Sequence, residues 1–292
     1  GLVPLFEMIF RYTTNVKLLE LANLDQPILR ELMVQAPGTY HHSVIVGTLV
    51  EAAAEEIGAN PLMARVMAYY HDIGKGKSPR YFAENQQHGD NPHDKLEPSM
   101  STLILKRHVT DGLKLAQEHK LGEVIEAAIV EHHGTTRMSF FYEKAKAGES
   151  QEDPVKESDY RYPGRKPQTR EAALVMLADS VEAAARSISD PNPARLLGVT
   201  QKVINMKFTD GQLDECDLTL KNLHVIAREF TKVLSGIHHS RPEYALAGGK
   251  SAEAVRAKTY AGHDQKSKKK TDAPNEASQG NGPEGLKRLG IP

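Results

Sequence analysis

A single cysteine, Cys216, stands in a chain of 292 residues, so no disulfide can form within it and a reducing compartment is indicated. A surplus of one charge is lacking too: 37 Lys/Arg against 38 Asp/Glu leave a formal net charge of −1. The chain as a whole therefore offers no electrostatic case for binding nucleic acid. No run approaches the roughly 18 consecutive apolar residues that span a bilayer, and no signal peptide is visible. Convincing period-two alternation is missing, which argues against half-buried strands and leaves an all-α domain. Nor is there a nucleophile motif of the G-x-S-x-G kind, so covalent catalysis of that type has no sequence support.

What is there is helical punctuation. "TYHHSVIVGTLVEAAAEEIG" reads as a helix over 40–57, with Val44, Leu49, Ala53 and Ile57 near one face and Gly58 as its stop. Asn60-Pro61 makes a cap and a first-turn proline for a second helix over 62–73, stopped at Gly74. Residues 76–98 are polar and read as loop. Helices are expected at about 98–108, 111–119 and 122–133, the last ended by Gly134. Thr135 to Gln168 is rich in Gly, Pro and charge, and reads as a loop of the unusual length that often carries function. The strongest helical pattern covers 169–188, followed by 193–206 and 219–236.

Three parts follow from this. Residues 1–35 include the amphipathic "PLFEMIFRYTTNVKLLELANL" and read as connector helices, with a simple packing role as the equal alternative. Residues 36–245 form the main domain. Residues 246–292 are polar, carry nine Lys/Arg against five Asp/Glu from Gly249 onward, and are expected to be a disordered, solvated tail. A start at Gly-Leu-Val instead of Met is expected of a processed chain or of a piece of a longer one.

The chemistry sits in histidines and aspartates at helix ends and on helix faces: His42, His71 with Asp72, His108, His132 with His133, and Asp179. Each alone reads as a surface or satisfied core residue. In the order H…HD…H…HH…D they are hard to assign to packing. Neutral imidazole ligates iron, manganese or zinc, and a carboxylate can bridge two ions. Seven such groups exceed what one tetrahedral ion needs, which favours a two-metal site.

This pattern resembles the HD phosphohydrolase superfamily, whose signature "HDIG" stands at residues 71–74. "APGTYHHS", "YFAENQQHGDNPHDKL", "HHGT", "YRYPGRKPQTREAALVMLADSVEAAARS" and "DGQLDECDLTL" are similar to the cytoplasmic domain of the bacterial seven-transmembrane HD proteins, over about residues 1–245. Arg165 departs from that pattern, where many relatives are expected to carry proline, but it lies outside the ligand set. The resemblance implies an HD-domain helical bundle with a long ordered loop between the HH and D motifs. It implies two divalent transition-metal ions, iron or manganese with zinc as a further option. His42, not His41, is the first ligand in that pattern. His71 and a bridging Asp72 follow, then His108, His132 and His133 mainly on the second ion, with Asp179 closing the first.

It also implies an activity, the hydrolysis of cyclic di-AMP to linear pApA. Two cations suit that reaction because they lower the pKa of a water held between them and neutralise phosphate oxygens. Asp72 and Lys75 are the expected catalytic side chains. Lys75 either reaches toward phosphate or answers the helix dipole as an end-of-helix lysine. Lys75, Tyr81, Asn85, His93, Arg137 and Tyr142 are candidate substrate contacts, with ordinary loop anchoring as the alternative for each loop residue. The missing N-terminal region would place the domain at the cytoplasmic face of a bacterial inner membrane, with 1–35 nearest the membrane. The residues leave other readings open: a different cyclic dinucleotide, an alarmone or a nucleoside triphosphate as substrate, a di-iron oxygenase, or a nucleotide sensor without catalysis.

Overall fold

Proline opens half of the helices. The computed structural model describes residues 13–86, 91–149 and 154–239, and ten α-helices lie among them. They are α1 (Asn15–Leu21), α2 (Pro27–Gln35), α3 (Pro37–Ile57), α4 (Pro61–Tyr70), α5 (Pro98–Glu118), α6 (Glu123–Glu131), α7 (Ser139–Lys146), α8 (Arg170–Arg186), α9 (Pro193–Thr209) and α10 (Leu220–His239). In α2, α3, α4, α5 and α9 the first residue is proline, which gives up an N–H that the helix cannot use there. Asn60, Thr169 and Asn192 cap α4, α8 and α9 through side-chain oxygens that accept backbone N–H bonds. Gly58, at φ 69°, ends α3 in the left-handed conformation expected of it. Among the described residues the β-type pairing is one isolated bridge, Arg137 with Arg161. The all-α reading holds.

α8 is the central helix. Every residue from Ala172 to Asp179 is buried, because α3, α4, α6 and α9 surround it. Met176 and Leu177 are core. A second apolar cluster joins α1 and α2 to the far side of α4: Leu18, Leu21, Leu29 and Leu32 meet Tyr70 and Ile73. The Tyr70 hydroxyl donates to the Leu21 carbonyl at 2.9 Å. α1 and α2 thus have the packing role weighed for this stretch. α4 feeds both clusters, with Met67 and Ala68 in the first and Val66 and Tyr70 in the second. That fixes the end of α4, where His71 and Asp72 follow. Residues up to His238 form one compact unit. Residues 1–12 of the expected connector and the whole of the expected tail, 246–292, lie outside the described residues.

Four local expectations are corrected. Residues 98–118 form one helix and not two, because Gly112 does not break α5: it lies where another backbone crosses closely. The long segment after Gly134 is not all loop, since it contains α7, which buries none of its residues and so leaves no apolar stripe to read. The described residues of the 76–98 loop include short 3₁₀ turns at Pro79–Tyr81, Ala83–Asn85 and Pro92–Lys95. Finally, α4 ends at Tyr70, and Ile73–Lys77 form a 3₁₀ turn, so Gly74 does not stop the helix.

Gly74 serves a close approach instead. A Cβ there would lie 1.9 Å from the His108 carbonyl oxygen and 2.5 Å from the Gly112 nitrogen, both of them backbone atoms that cannot swing away. Gly74→Ala is therefore expected to cost about 2–3 kcal/mol in urea unfolding. Gly198→Ala, in α9 with nothing within 4 Å of the new methyl group, is expected to stabilise by about 0.5 kcal/mol. Equal effects at the two positions would refute the close-approach argument.

Candidate metal centre

His71 and Asp72 are neighbours that a continued helix would set about 100° apart. The chain avoids this by leaving the α-helix between them. The His71 amide still donates to Met67 at 3.0 Å, whereas Asp72 sits at φ −112°, ψ 15°. Both side chains then turn into the same fully buried interior.

The other groups arrive from four more helices: His42 from α3, His108 from α5, His132 and His133 from the end of α6, Asp179 from α8. Four imidazoles are locked by their Nδ1 atoms. His71 Nδ1 donates to Ala68 at 2.7 Å, His108 to Leu105 at 2.5 Å, His132 to Ile129 at 2.8 Å, and His42 to the Glu182 carboxylate at 2.6 Å. Each therefore presents Nε2 inward, the arrangement that orients a ligating histidine.

The donor atoms fall into two sets, His42–His71–Asp72–Asp179 and His108–His132–His133, each within 4.8 Å. Asp72 stands between them. Its Oδ2 lies 3.0 Å from His71 Nε2 and 3.7 Å from His42 Nε2, while its Oδ1 lies 3.5 Å from Nε2 of both His108 and His132. Among the described residues, Asp72 Oδ1 has no hydrogen bond, Oδ2 has the ion pair with Lys75 Nζ at 2.6 Å but no hydrogen bond of good geometry, and His71 Nε2 has the 3.0 Å approach to Oδ2 in place of one. Buried polar atoms are nearly always satisfied, so polar atoms left this way and converging on one point fit a cation, and the imidazole and carboxylate donors fit iron, manganese or zinc.

The electrostatics agree. Burial opposes charge on Asp72, yet His71 and Lys75 hold its carboxyl well below the usual range. Burial also opposes charge on His71, but Asp72 and Asp179 outweigh it and push the pKa up to about 10, so a proton occupies this anionic half. In the all-histidine half burial dominates: His108 is pulled down to about 3, and His133 is lowered as well. Those rings are neutral and keep lone pairs for ligation.

Lys75 is buried, with Nζ 2.6 Å from Asp72 and 2.9 Å from Glu84. It is an internal cation of the site and not a helix-end lysine. Lys77 is exposed. The loop candidates make other contacts. Asn85 spends its amide on Thr39, accepting from the backbone at 3.2 Å and donating to the hydroxyl at 2.8 Å. His93 Nε2 donates to the Tyr81 carbonyl at 2.9 Å. Arg137 lies over the Tyr142 ring at 4.8 Å and pairs with Glu157 at 3.3 Å. Tyr81 lines a cleft of about 520 Å³ together with Lys77, Arg80, Phe82, Arg107 and His108.

Sequence reasoning missed three side chains. Glu182 accepts from His42 and from Arg186; its spacing of three from Asp179 on one helix was the available signal. Glu84 joins Lys75 to the Thr39 hydroxyl. Tyr162 stacks on His133 at 4.1 Å, held because the Tyr162 amide donates to Thr136 at 3.0 Å. Arg165, the departure noted above, pairs with Glu131 at 2.7 Å; this fully buried carboxylate immediately precedes His132.

An all-α frame that gathers H, HD, H, HH and D onto one buried point defines a class, and the HD-domain family model matches residues 39–184, half of the chain. The chain belongs to the HD-domain family. It is 49% identical over 247 residues to the cyclic-di-AMP phosphodiesterase PgpH of Bacillus subtilis (strain 168), covering 85% of this chain and 34% of that protein. It is 46% identical over 244 residues to the protein of the same name from Listeria monocytogenes serotype 1/2a (strain 10403S), covering 84% of this chain and 34% of that one. The chain thus spans about a third of the length of these curated relatives. The crystal structure of the L. monocytogenes PgpH HD domain superposes with a TM-score of 0.70 at 45% identity, covering 74% of this chain and 100% of that one. A crystal structure of that domain in complex with cyclic-di-AMP matches with the same score and identity, covering 99% of its chain.

Because Glu182 fixes the His42 ring, Glu182→Ala is expected to weaken metal binding by about tenfold to a hundredfold. The helical circular dichroism should be unchanged. Titration of metal into stripped protein checks this, and unchanged affinity would remove Glu182 from the site.

Proposed function

We propose that this chain is a metal-dependent phosphodiesterase that opens cyclic di-AMP to linear pApA. The observation that carries the reading is the Asp72 carboxylate, whose Oδ2 lies among the His42, His71 and Asp179 donors and whose Oδ1, without a hydrogen bond, faces His108 and His132. The two PgpH relatives, both cyclic-di-AMP phosphodiesterases, suggest the substrate, and the complex of the L. monocytogenes domain with cyclic-di-AMP supports the same class of ligand.

On this reading His42, His71, Asp72 and Asp179 hold one divalent ion, while His108, His132 and His133 hold the other with Asp72 shared. Iron or manganese is the native pair, with zinc as the alternative. When bound, the two ions lower the pKa of water and neutralise phosphate oxygens. In the reaction water adds to one phosphorus, the P–O3′ bond breaks, and the released 3′-oxygen takes the proton.

The chain's own part is to keep these groups positioned. Lys75 adds a fixed positive charge beside Asp72, and Glu84 orients it. Phe82, edge-on to His108 at 5.6 Å, and Tyr162, stacked on His133, cover the rings and exclude water. Of the loop candidates, Tyr81 is the best placed for an adenine, since it lines the cleft beside His108. Asn85, His93, Arg137 and Tyr142 shape the surrounding loops from which base and ribose contacts come. The full-length protein, on this reading, sits at the cytoplasmic face of a bacterial inner membrane, anchored through a region outside the matched third of its relatives.

The test is product analysis with manganese-loaded protein given cyclic di-AMP or cyclic di-GMP. Faster release of pApA is expected, and chelation should abolish it. His71→Ala and Asp72→Ala should each lose all measurable cleavage while keeping the helical circular-dichroism signal. Full turnover in either variant would defeat the assignment.

A further inference from the structure

Two lysines are buried among the described residues, and their surroundings differ. Lys75 lies between Asp72 and Glu84. Lys207, on α9 and only 4% exposed, donates to the Thr136 hydroxyl at 2.9 Å and makes no ion pair within 4.0 Å among the described residues. An ammonium has three donors and a full charge, and burying one without an anion is costly. No mechanism step above uses it.

Its position is tied to the metal centre. The Thr136 amide donates to the His133 carbonyl at 3.0 Å, so the hydroxyl that holds Lys207 is fixed to the turn carrying His133. Asp179 is the stronger of the two acidic influences on Lys207, ahead of Asp210. Asp210 itself is occupied by Arg161, at 2.9 and 3.2 Å, and by Gln212 at 2.9 Å. Burial, working against both acids, brings the Lys207 pKa down to about 8, which leaves it charged at neutral pH.

We propose that Lys207 and the Thr136 hydroxyl form an anion-holding pair that takes the uncleaved phosphate of the cyclic dinucleotide, beside the turn that carries His133. The inference rests on the phosphodiesterase reading and extends it. A cyclic dinucleotide carries two phosphodiesters. Divalent ions serve the one being cleaved; the other still brings a negative charge into a desolvated site, and a buried cation without a carboxylate of its own is the complementary group.

A structural lysine and a substrate-holding lysine make opposite predictions for stability. Lys207→Met removes an uncompensated buried charge, so its melting temperature is expected to equal or exceed that of the wild type. The KM for cyclic di-AMP should rise by about tenfold or more, with kcat within about threefold. Thr136→Val, which leaves the lysine in place, should raise KM in the same direction by a smaller factor. A lowered melting temperature with KM unchanged in both variants would overturn the proposal.

Wild-type protein that does not cleave cyclic di-AMP would defeat the phosphodiesterase reading instead. The pair is then read with inorganic phosphate on metal-free protein. Phosphate should raise the wild-type melting temperature and leave that of Lys207→Met unmoved, and an equal response in both would refute the anion-holding role.

Discussion

The buried carboxylate of Asp72 is the constraint around which the centre is organised. Alone in an apolar interior it would take up a proton and stay neutral, because desolvation penalises the charged form heavily. Here His71 and Lys75 keep it ionised, Lys75 from the Oδ2 side, while Oδ1 is committed to no hydrogen bond. A charge held in that condition is a receptor for cations. The raised pKa of His71 reflects the same demand, met by a proton when nothing stronger is present.

Around this core the chain treats its carboxylates in two ways. Those that orient other groups each have a cation from the chain itself: Glu84 has Lys75, Glu131 has Arg165, and Glu182 has Arg186. Asp179 is instead faced by histidines, and Asp72 by histidines together with Lys75, which it shares with Glu84; the charge of the histidines can be given up to an incoming ion. Arg165 illustrates the first rule, since it neutralises the buried carboxylate next to His132.

Legibility from sequence followed chemical rarity. Thirteen histidines in 292 residues are few enough for their helix-end spacing to stand out, and Asp179 could be placed by the signature pattern. Glu84 is one of 38 acidic residues with nothing local to mark it, and Glu182 had only its spacing of three from Asp179 to set it apart from a solvated glutamate. The helices with an apolar stripe or a proline start were readable for the same reason that they form: burial and backbone geometry leave residue-level marks. α7 has neither a fully buried residue nor a side-chain N-cap hydrogen bond, so its sequence carries neither of the marks that made the other helices readable. The merging of 98–118 into one helix also hangs on a distant partner, the 73–77 turn lying against Gly112.

That turn gives the four-residue signature a physical reading beyond its two ligands. His71 closes α4 while its Nδ1 is tied back to Ala68. Asp72 steps out of the helix so that adjacent side chains can share one site. Ile73, 2% exposed, plugs into the cluster formed with α1 and α2 and prevents the turn from rotating. Gly74 lets the turn lie directly on the α5 backbone at His108, which sets the separation between the two donor sets. A substitution at Ile73 or Gly74 touches no ion, yet each would move Asp72 relative to His108. The signature therefore specifies a distance as much as a pair of ligands, and it does so through packing.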